Sequence, residues 1–220
     1  MSTSSANGFS FVELVVAVAI MLAVITSVFG LSQSARNVFE LDLERSDMHQ
    51  RARVSIDALF RDLIMAGGGR QMPAIAPYRR GDSNPDAPGS AFADRISVRY
   101  VAGGAAGIAV ITFASGIDAA GVPQLRRYDG HSTDLPVVDQ VAGLSFEYFG
   151  IAGAPMALGR FTDGPWVPDA VAADRYDADL DGIHRVRAHI RVRPARTFVG
   201  LPLADVEVAI DVAPRNVNLQ

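Results

Sequence analysis

An uncharged apolar run near the N-terminus is the feature that most constrains the fold. Residues Leu14–Leu31 read LVVAVAIMLAVITSVFGL and include no charged side chain. As a helix this run is about 27 Å long, which is enough to cross the hydrocarbon core of a bilayer. A secretory signal peptide has a basic start and a shorter apolar core, whereas residues 1–7 are uncharged. The run therefore predicts a membrane-spanning helix rather than a cleaved export signal.

After this run the helical period continues, but with a polar surface. Charged residues separate apolar positions that recur at steps of three and four, namely Val38, Leu41, Met48, Ala52, Ile56, Leu59 and Leu63. No proline interrupts Phe9–Ala66, so we expect a helix of about 87 Å that ends at the glycines following Ala66. One small domain cannot bury both halves of such a helix. The apolar half must therefore contact lipid or other subunits.

The remainder of the chain has the pattern of a β-rich domain. Arg70–Asp94 is rich in proline and glycine and is predicted to be a loop. Beyond it apolar residues alternate with polar ones, which predicts strands around Ile96–Tyr100, Ile108–Ala114, Leu144–Tyr148, Val186–Val192 and Val206–Val212. The amphipathic half-helix is the natural cover for their apolar face. The expected fold class is α+β, a long N-terminal helix packed on an antiparallel β-sheet head.

Composition and motifs exclude several classes of function. The chain has no cysteine, so disulfides, thiolate catalysis and cysteine-based metal sites are excluded. Its formal charge of -4 gives no basic surface for general nucleic-acid binding, and no nucleic acid is expected as a partner. The G-x-S-x-G elbow, the Walker A loop, the dinucleotide fingerprint and the H-E-x-x-H pattern are all missing from the sequence. We therefore expect a protein that is not an enzyme.

The residues directly before the apolar run carry a specific motif. Gly8-Phe9-Ser10-Phe11-Val12-Glu13 resembles the processing motif of type IV prepilins. The resemblance implies that a prepilin peptidase removes residues 1–8 as a leader and that Phe9 becomes a methylated N-terminus. It also implies a transmembrane and filament-core helix at 9–33, followed by an amphipathic helix and a β-rich pilin head at 34–220.

The rest of the chain is similar to minor pilins of the PilW type. The similar segments are RDLIMAGGG (61–69), ADRISVRY (93–100), VVDQVAGLSFEYFG (137–150) and IHRVRAHIRVR (183–193). The resemblance implies a single-pass inner-membrane protein with its head in the periplasm, which contacts inner-membrane lipid before assembly. Other pilin subunits would then bind its N-terminal helix within a pilus or pseudopilus. The J-type pseudopilin of type II secretion is an alternative, and a monomeric membrane-tethered periplasmic binding domain is another.

Glu13 has two interpretations. An unpaired carboxylate carried into hydrocarbon costs several kcal/mol, so something must compensate its charge. The helix N-terminus offers a positive macrodipole end and unsatisfied amides at this position. The pilin resemblance instead implies that Glu13 pairs with the N-terminal amine of Phe9 on a neighbouring subunit. In that case loss of one partner leaves a buried charge that costs roughly 3–5 kcal/mol, which would set subunit register.

Two charged segments of the head are candidate sites. Asp177, Asp179 and Asp181 have the D-x-D-x-D-G spacing of a Ca²⁺ loop, but Ala188 stands where an EF-hand requires glutamate. A solvated acidic turn is the alternative that we favour.

A basic row follows the acidic turn. Arg185, Arg187, His189, Arg191 and Arg193 alternate with apolar residues and so share one face of a strand. Such a strip could bind DNA or an acidic partner subunit. We favour cross-strand pairing of these residues with Glu207 and Asp211 on a neighbouring strand.

Overall fold

The computed structural model of the 220-residue chain describes residues 10–67, 73–77, 91–102, 107–129, 134–161, 177–198 and 202–215. Its contacts divide the chain into two compact units, Met1–Arg45 and Ser46–Gln220. The second unit is the head. The boundary after residue 33 inferred from the sequence marks a change of polarity, and it stays a prediction about the membrane.

One long helix, α1, spans Phe11–Met65. Its end has a clear local cause: Gly67 has a φ of 86°, in the left-handed region that a residue without Cβ adopts at no steric cost. The amide N–H of Gly67 then donates to the carbonyl oxygen of Arg99 at 2.9 Å, which joins the chain after the helix to the head. The predicted helix and its glycine stop are confirmed.

The described part of the head contains two antiparallel sheets rather than the single sheet that we expected. The strands of the first sheet lie in the order β1-β2-β3-β4-β5, with β1 Ile75–Ala76, β2 Arg95–Ala102, β3 Gly107–Ile117, β4 Pro123–Tyr128 and β5 Leu135–Asp139. Those of the second lie in the order β7-β6-β8-β9, with β6 Val141–Phe149, β7 Pro155–Met156, β8 Arg185–Val192 and β9 Val206–Val212. The chain passes from one sheet to the other at Gln140, which has a φ of 64°.

The five strands predicted from alternation are all present, and the α+β class is confirmed. Four strands were missed: β1, which lies inside the expected loop, and β4, β5 and β7. In β4 only Gln124 and Leu125 are buried, so no long alternating run marks it. Pro136 interrupts β5, which weakens its strand signal. Two-residue β7 also has no detectable period.

The head-side part of α1 supplies one layer of the core. Met48, Ala52, Leu59 and Leu63 are buried, at the three- and four-residue steps expected for one helix face. They belong to one cluster that includes the buried residues Ile96, Val98 and Phe113 of the first sheet and Leu144, Phe146 and Val186 of the second. The predicted cover of a sheet by the amphipathic half-helix is therefore confirmed.

Candidate functional site

The first turn of α1 holds Glu13. Its Oε2 accepts a hydrogen bond from the backbone N–H of Ser10 at 3.3 Å, which is the backward contact of a Ser-x-x-Glu capping arrangement. The backbone N–H of Leu14 donates to the carbonyl oxygen of Ser10 at 3.1 Å and begins the helical ladder. Glu13 thus lies at the positive end of the macrodipole, as the first of our two interpretations expects. Its pairing with another subunit remains a prediction.

The surface that follows Glu13 is apolar on every side. All residues from Phe11 to Leu31 are exposed in the isolated chain, and none of the most apolar 18-residue stretch is buried. By length and composition this helix is able to cross a membrane. Transfer of its fourteen large apolar side chains out of water lowers the free energy by roughly 20–40 kcal/mol. This gain far exceeds the free-energy cost of burying one unpaired carboxylate. Lipid or protein must cover this surface.

The acidic turn of the head forms a short 3-10 helix, Ala178–Gly182. Asp177 is fully buried, and its Oδ1 accepts a hydrogen bond from the backbone N–H of Asp179 at 3.1 Å. Asp179 pairs with Arg160, with 2.7 Å between Oδ1 and Nη2. The charge of Asp181 acts on Arg99. Each predicted Ca²⁺ ligand therefore interacts with a different protein group.

Among the residues that the structure describes, no three or more histidine, aspartate or glutamate side chains are grouped to hold a metal ion. A Ca²⁺ ion that bound at this turn would have to compete with Arg160 for Asp179. Calcium binding by Asp177, Asp179 and Asp181 stays a prediction.

Sequence reasoning missed the buried Arg99 in β2. Arg99 lies between the apolar positions Val98 and Tyr100, so the two-residue alternation predicted that its side chain is on the solvent face of the strand. In the structure Arg99 is 6% exposed, and the neighbouring Ser97 is buried as well. Burial lowers the pKa of Arg99, while the charge of Asp181 acts in the opposite direction. The face of β2 that carries Arg99 is thus covered by protein.

A second ionic cluster joins α1 to the first sheet. The Arg127 Nε lies 2.9 Å from the Asp62 Oδ2, and Asp62 is buried. Burial acts to lower the pKa of Arg127, but the hydrogen bond and charge of Asp62 raise it above its ordinary value. Burial also raises the pKa of the nearby Tyr100, and the Asp62 charge adds to that effect. The cluster positions the helix on the sheet.

The basic row of β8 is paired across strands, as we favoured. Arg187 forms a two-pronged contact with Asp211, with Nε 3.1 Å from Oδ1 and Nη2 2.9 Å from Oδ2. This hydrogen bonding raises the pKa of Arg187 and lowers that of Asp211. Arg191 lies opposite Glu207 in the strand register but pairs with Asp205 at 3.6 Å. The interpretation as cross-strand pairing is confirmed for Asp211.

The same sheet face carries an open groove of about 530 Å³. Gly143, Ser145 and Ala209 line it with small surfaces, while His189 and Arg191 contribute larger ones. The Nε2 atom of His189 is 3.6 Å from the Glu147 Oε1. Glu147 and Glu207 line the groove together with Arg191, so side chains of both charge signs face it.

The predicted site residues therefore lie in separate places. Glu13 is at the start of α1, the three aspartates are on the 3-10 helix, and Gly8 and Phe9 lie outside the described residues. No protein-family model matches the chain, and no curated protein matches it. The assignment of function consequently rests on the residues and contacts of this chain.

Proposed function

We propose that the protein is a type IV pilin-like subunit, closest to PilW-type minor pilins, that is inserted in or primes a filament. The observation that carries this proposal is the division of α1. Its first part is wholly exposed and apolar with Glu13 in the first turn, whereas its last part is core of an antiparallel β head. A helix built in this way needs an apolar environment for one half and its own domain for the other.

The processing motif supplies the order of events. Prepilin peptidase cuts after Gly8, which leaves Phe9 as the methylated N-terminus. The apolar helix holds the subunit in the inner membrane, with its head in the periplasm, until it enters the filament. There Glu13 exchanges its contact with Ser10 for the amine of Phe9 on a neighbouring subunit. The role is structural, and no residue is assigned a catalytic step.

A membrane-tethered periplasmic binding domain is a second candidate that one observation favours. The Glu13 carboxylate already has the Ser10 amide as a partner within its own chain, so a tether requires no second subunit. However, a tether needs apolar length alone, and neither Gly8 nor Glu13 has a role in it. The J-type pseudopilin of type II secretion shares the pilin plan and differs in the assembly that it joins.

Processing by the peptidase tests the proposal. Co-expression of the full chain with an active prepilin peptidase is expected to remove residues 1–8 and leave Phe9 at the N-terminus, as measured by mass spectrometry of membrane-extracted protein. Gly8→Val is expected to block the cut, and Ser5→Val is a matched change within the leader that is expected to leave it intact. Retention of residues 1–8 by the unmodified chain would contradict the pilin assignment. Cross-linking to pilus or secretion subunits then separates the two pilin types.

A further inference from the structure

Among the described residues of the head, the edge strand β9 is longer than the other three edge strands and contains no proline. Edge strands expose unpaired backbone N–H and C=O groups, and proteins protect them with short strands, prolines or bulges. Edge strands β1 and β7 have two residues each, and β5 has Pro136 and an irregular register opposite β4. In contrast, β9 has seven residues, no proline and seven consecutive pairs with β8. No described residue pairs with its outer side.

The core is also incompletely covered at this edge. Val206, Val208 and Ile210 pack on the core but remain partly exposed. Their register partners on β8, which has a strand on each side, are at most 1% exposed. A further strand beside β9 would bury apolar surface that the described part of the head leaves in contact with water.

The outer charges of β9 indicate which kind of strand fits. The sign of the side-chain charge alternates from strand to strand. Glu147 of β6 lies opposite Arg187 of β8, and Arg187 lies opposite Asp211 of β9. Arg191 likewise lies opposite Glu207. Opposite charges stabilise directly facing positions and like charges destabilise them. The next strand is therefore favoured when basic residues face Glu207 and Asp211.

A second copy of β9 does not meet this requirement. Antiparallel pairing of two β9 strands centred on Ala209 would place Glu207 of each copy against Asp211 of the other. Both contacts would then be repulsive. In this register the acidic pair disfavours pairing with a second copy, whereas a basic partner avoids the repulsion.

We infer that β9 is a docking edge for an extended basic segment of another protein, which joins the four-stranded sheet as a fifth strand. Its backbone pairs with the outer side of β9. Its apolar residues cover Val206, Val208 and Ile210, and Arg or Lys residues four positions apart face Glu207 and Asp211. Main-chain hydrogen bonds supply affinity and the side chains supply specificity. The inference goes beyond the proposed function, and its test does not depend on processing or filament assembly.

A peptide with the sequence of residues 185–193, RVRAHIRVR, is a suitable probe because its Arg residues recur four positions apart and alternate with apolar ones. It is added to the full chain in lipid nanodiscs, and amide hydrogen exchange is measured. The expected result is slower exchange in β9, with no change in β5. Two results would overturn the inference: β9 amides that are already protected without peptide, whether in a monomer or in a dimer, or peptide binding without β9 protection.

Charge variants test the selectivity. Glu207→Gln combined with Asp211→Asn is expected to weaken binding of the peptide about tenfold at low ionic strength, as measured by fluorescence anisotropy. Glu147→Gln is the matched control, because this acid is on the same sheet face but two strands from the edge. Glu207→Gln alone preserves the Arg187–Asp211 pair and is expected to weaken binding about threefold. Equal binding of a peptide with every Arg replaced by Glu would overturn the inference.

Discussion

Asp62 of α1 accepts a hydrogen bond from Arg127 of β4 at 2.9 Å, and this contact links two residues that are 65 positions apart. Asp62 is buried, whereas Arg127 retains access to water on one side. The pair therefore ties the amphipathic half of the helix to the first sheet without isolating both charges from solvent.

Removal of Asp62 is expected to destabilise the head. Asp62→Ala should lower the free energy of unfolding by about 1–3 kcal/mol, because Arg127 loses its partner at a partly buried position. Urea unfolding of the full chain in detergent micelles, followed by near-UV circular dichroism, measures the change. Asp57→Ala, at an exposed position of the same helix, is the control. A double-mutant cycle with Arg127→Ala isolates the pair, and a zero coupling energy would contradict this role.

Asp211 is expected to make stability depend on acidic pH. Its pKa is below the ordinary value of 3.8, chiefly because Arg187 donates hydrogen bonds to its carboxylate. The folded state therefore binds this proton less tightly than the unfolded state. The resulting stabilisation is fully present above pH 3.8 and is lost as the pH falls through the folded-state pKa. Titration followed by NMR should detect the lowered pKa, and Arg187→Gln should return it towards 3.8.

Glu13 is expected to act in assembly rather than in insertion. Glu13→Ala should insert at least as well as the unmodified chain, because it removes a charge from the apolar helix. Without the carboxylate, the amine of Phe9 lacks a partner in the filament. Cross-links to other pilins and recovery in sheared filaments should fall while the amount in the membrane persists. Glu40→Ala, beyond the apolar run, is the control, and unchanged cross-linking in Glu13→Ala would remove the link to pilus assembly.

Calcium binding at the acidic turn predicts a higher melting temperature in millimolar Ca²⁺ than in EGTA, because an ion that binds only the folded head stabilises it by mass action. Asp179→Asn should abolish the difference. Arg160→Gln should enlarge it, because this change frees Asp179 from its ion pair. A transition that Ca²⁺ leaves unchanged in both the original chain and Arg160→Gln would define Asp177, Asp179 and Asp181 as an ordinary polar turn.

The head is expected to fold without the apolar part of α1. A chain that begins at Ser34 should be soluble and monomeric with β-rich circular dichroism, because the amphipathic half-helix and the two sheets share one core. A chain that begins at Ser46 tests the boundary found in the contacts. Aggregation of both chains would contradict the proposed division, whereas folding of both would place the structural boundary at or after Ser46.

Local periodicity was sufficient to predict α1 and five strands. Steps of three and four residues marked the face with Met48, Leu59 and Leu63, and Gly67 marked the stop. Alternation in β8 and β9 also predicted that the basic row pairs with Glu207 and Asp211, because facing charges of two paired strands lie side by side. This pairing is confirmed for Asp211. The strand β4 was missed because only Gln124 and Leu125 of it are buried.

The sequence by itself determined the long helix and the five strands with alternating apolar residues, since these patterns depend on residues a few positions apart. The tertiary structure alone decided that the strands divide into two sheets, that Arg99 is buried and that β9 is an edge. Those outcomes depend on contacts between distant parts of the chain, such as the hydrogen bond from the backbone N–H of Gly67 to the carbonyl oxygen of Arg99. The burial of a strand face depends on which other elements pack on it, and the alternation of residues within one strand does not indicate which elements these are.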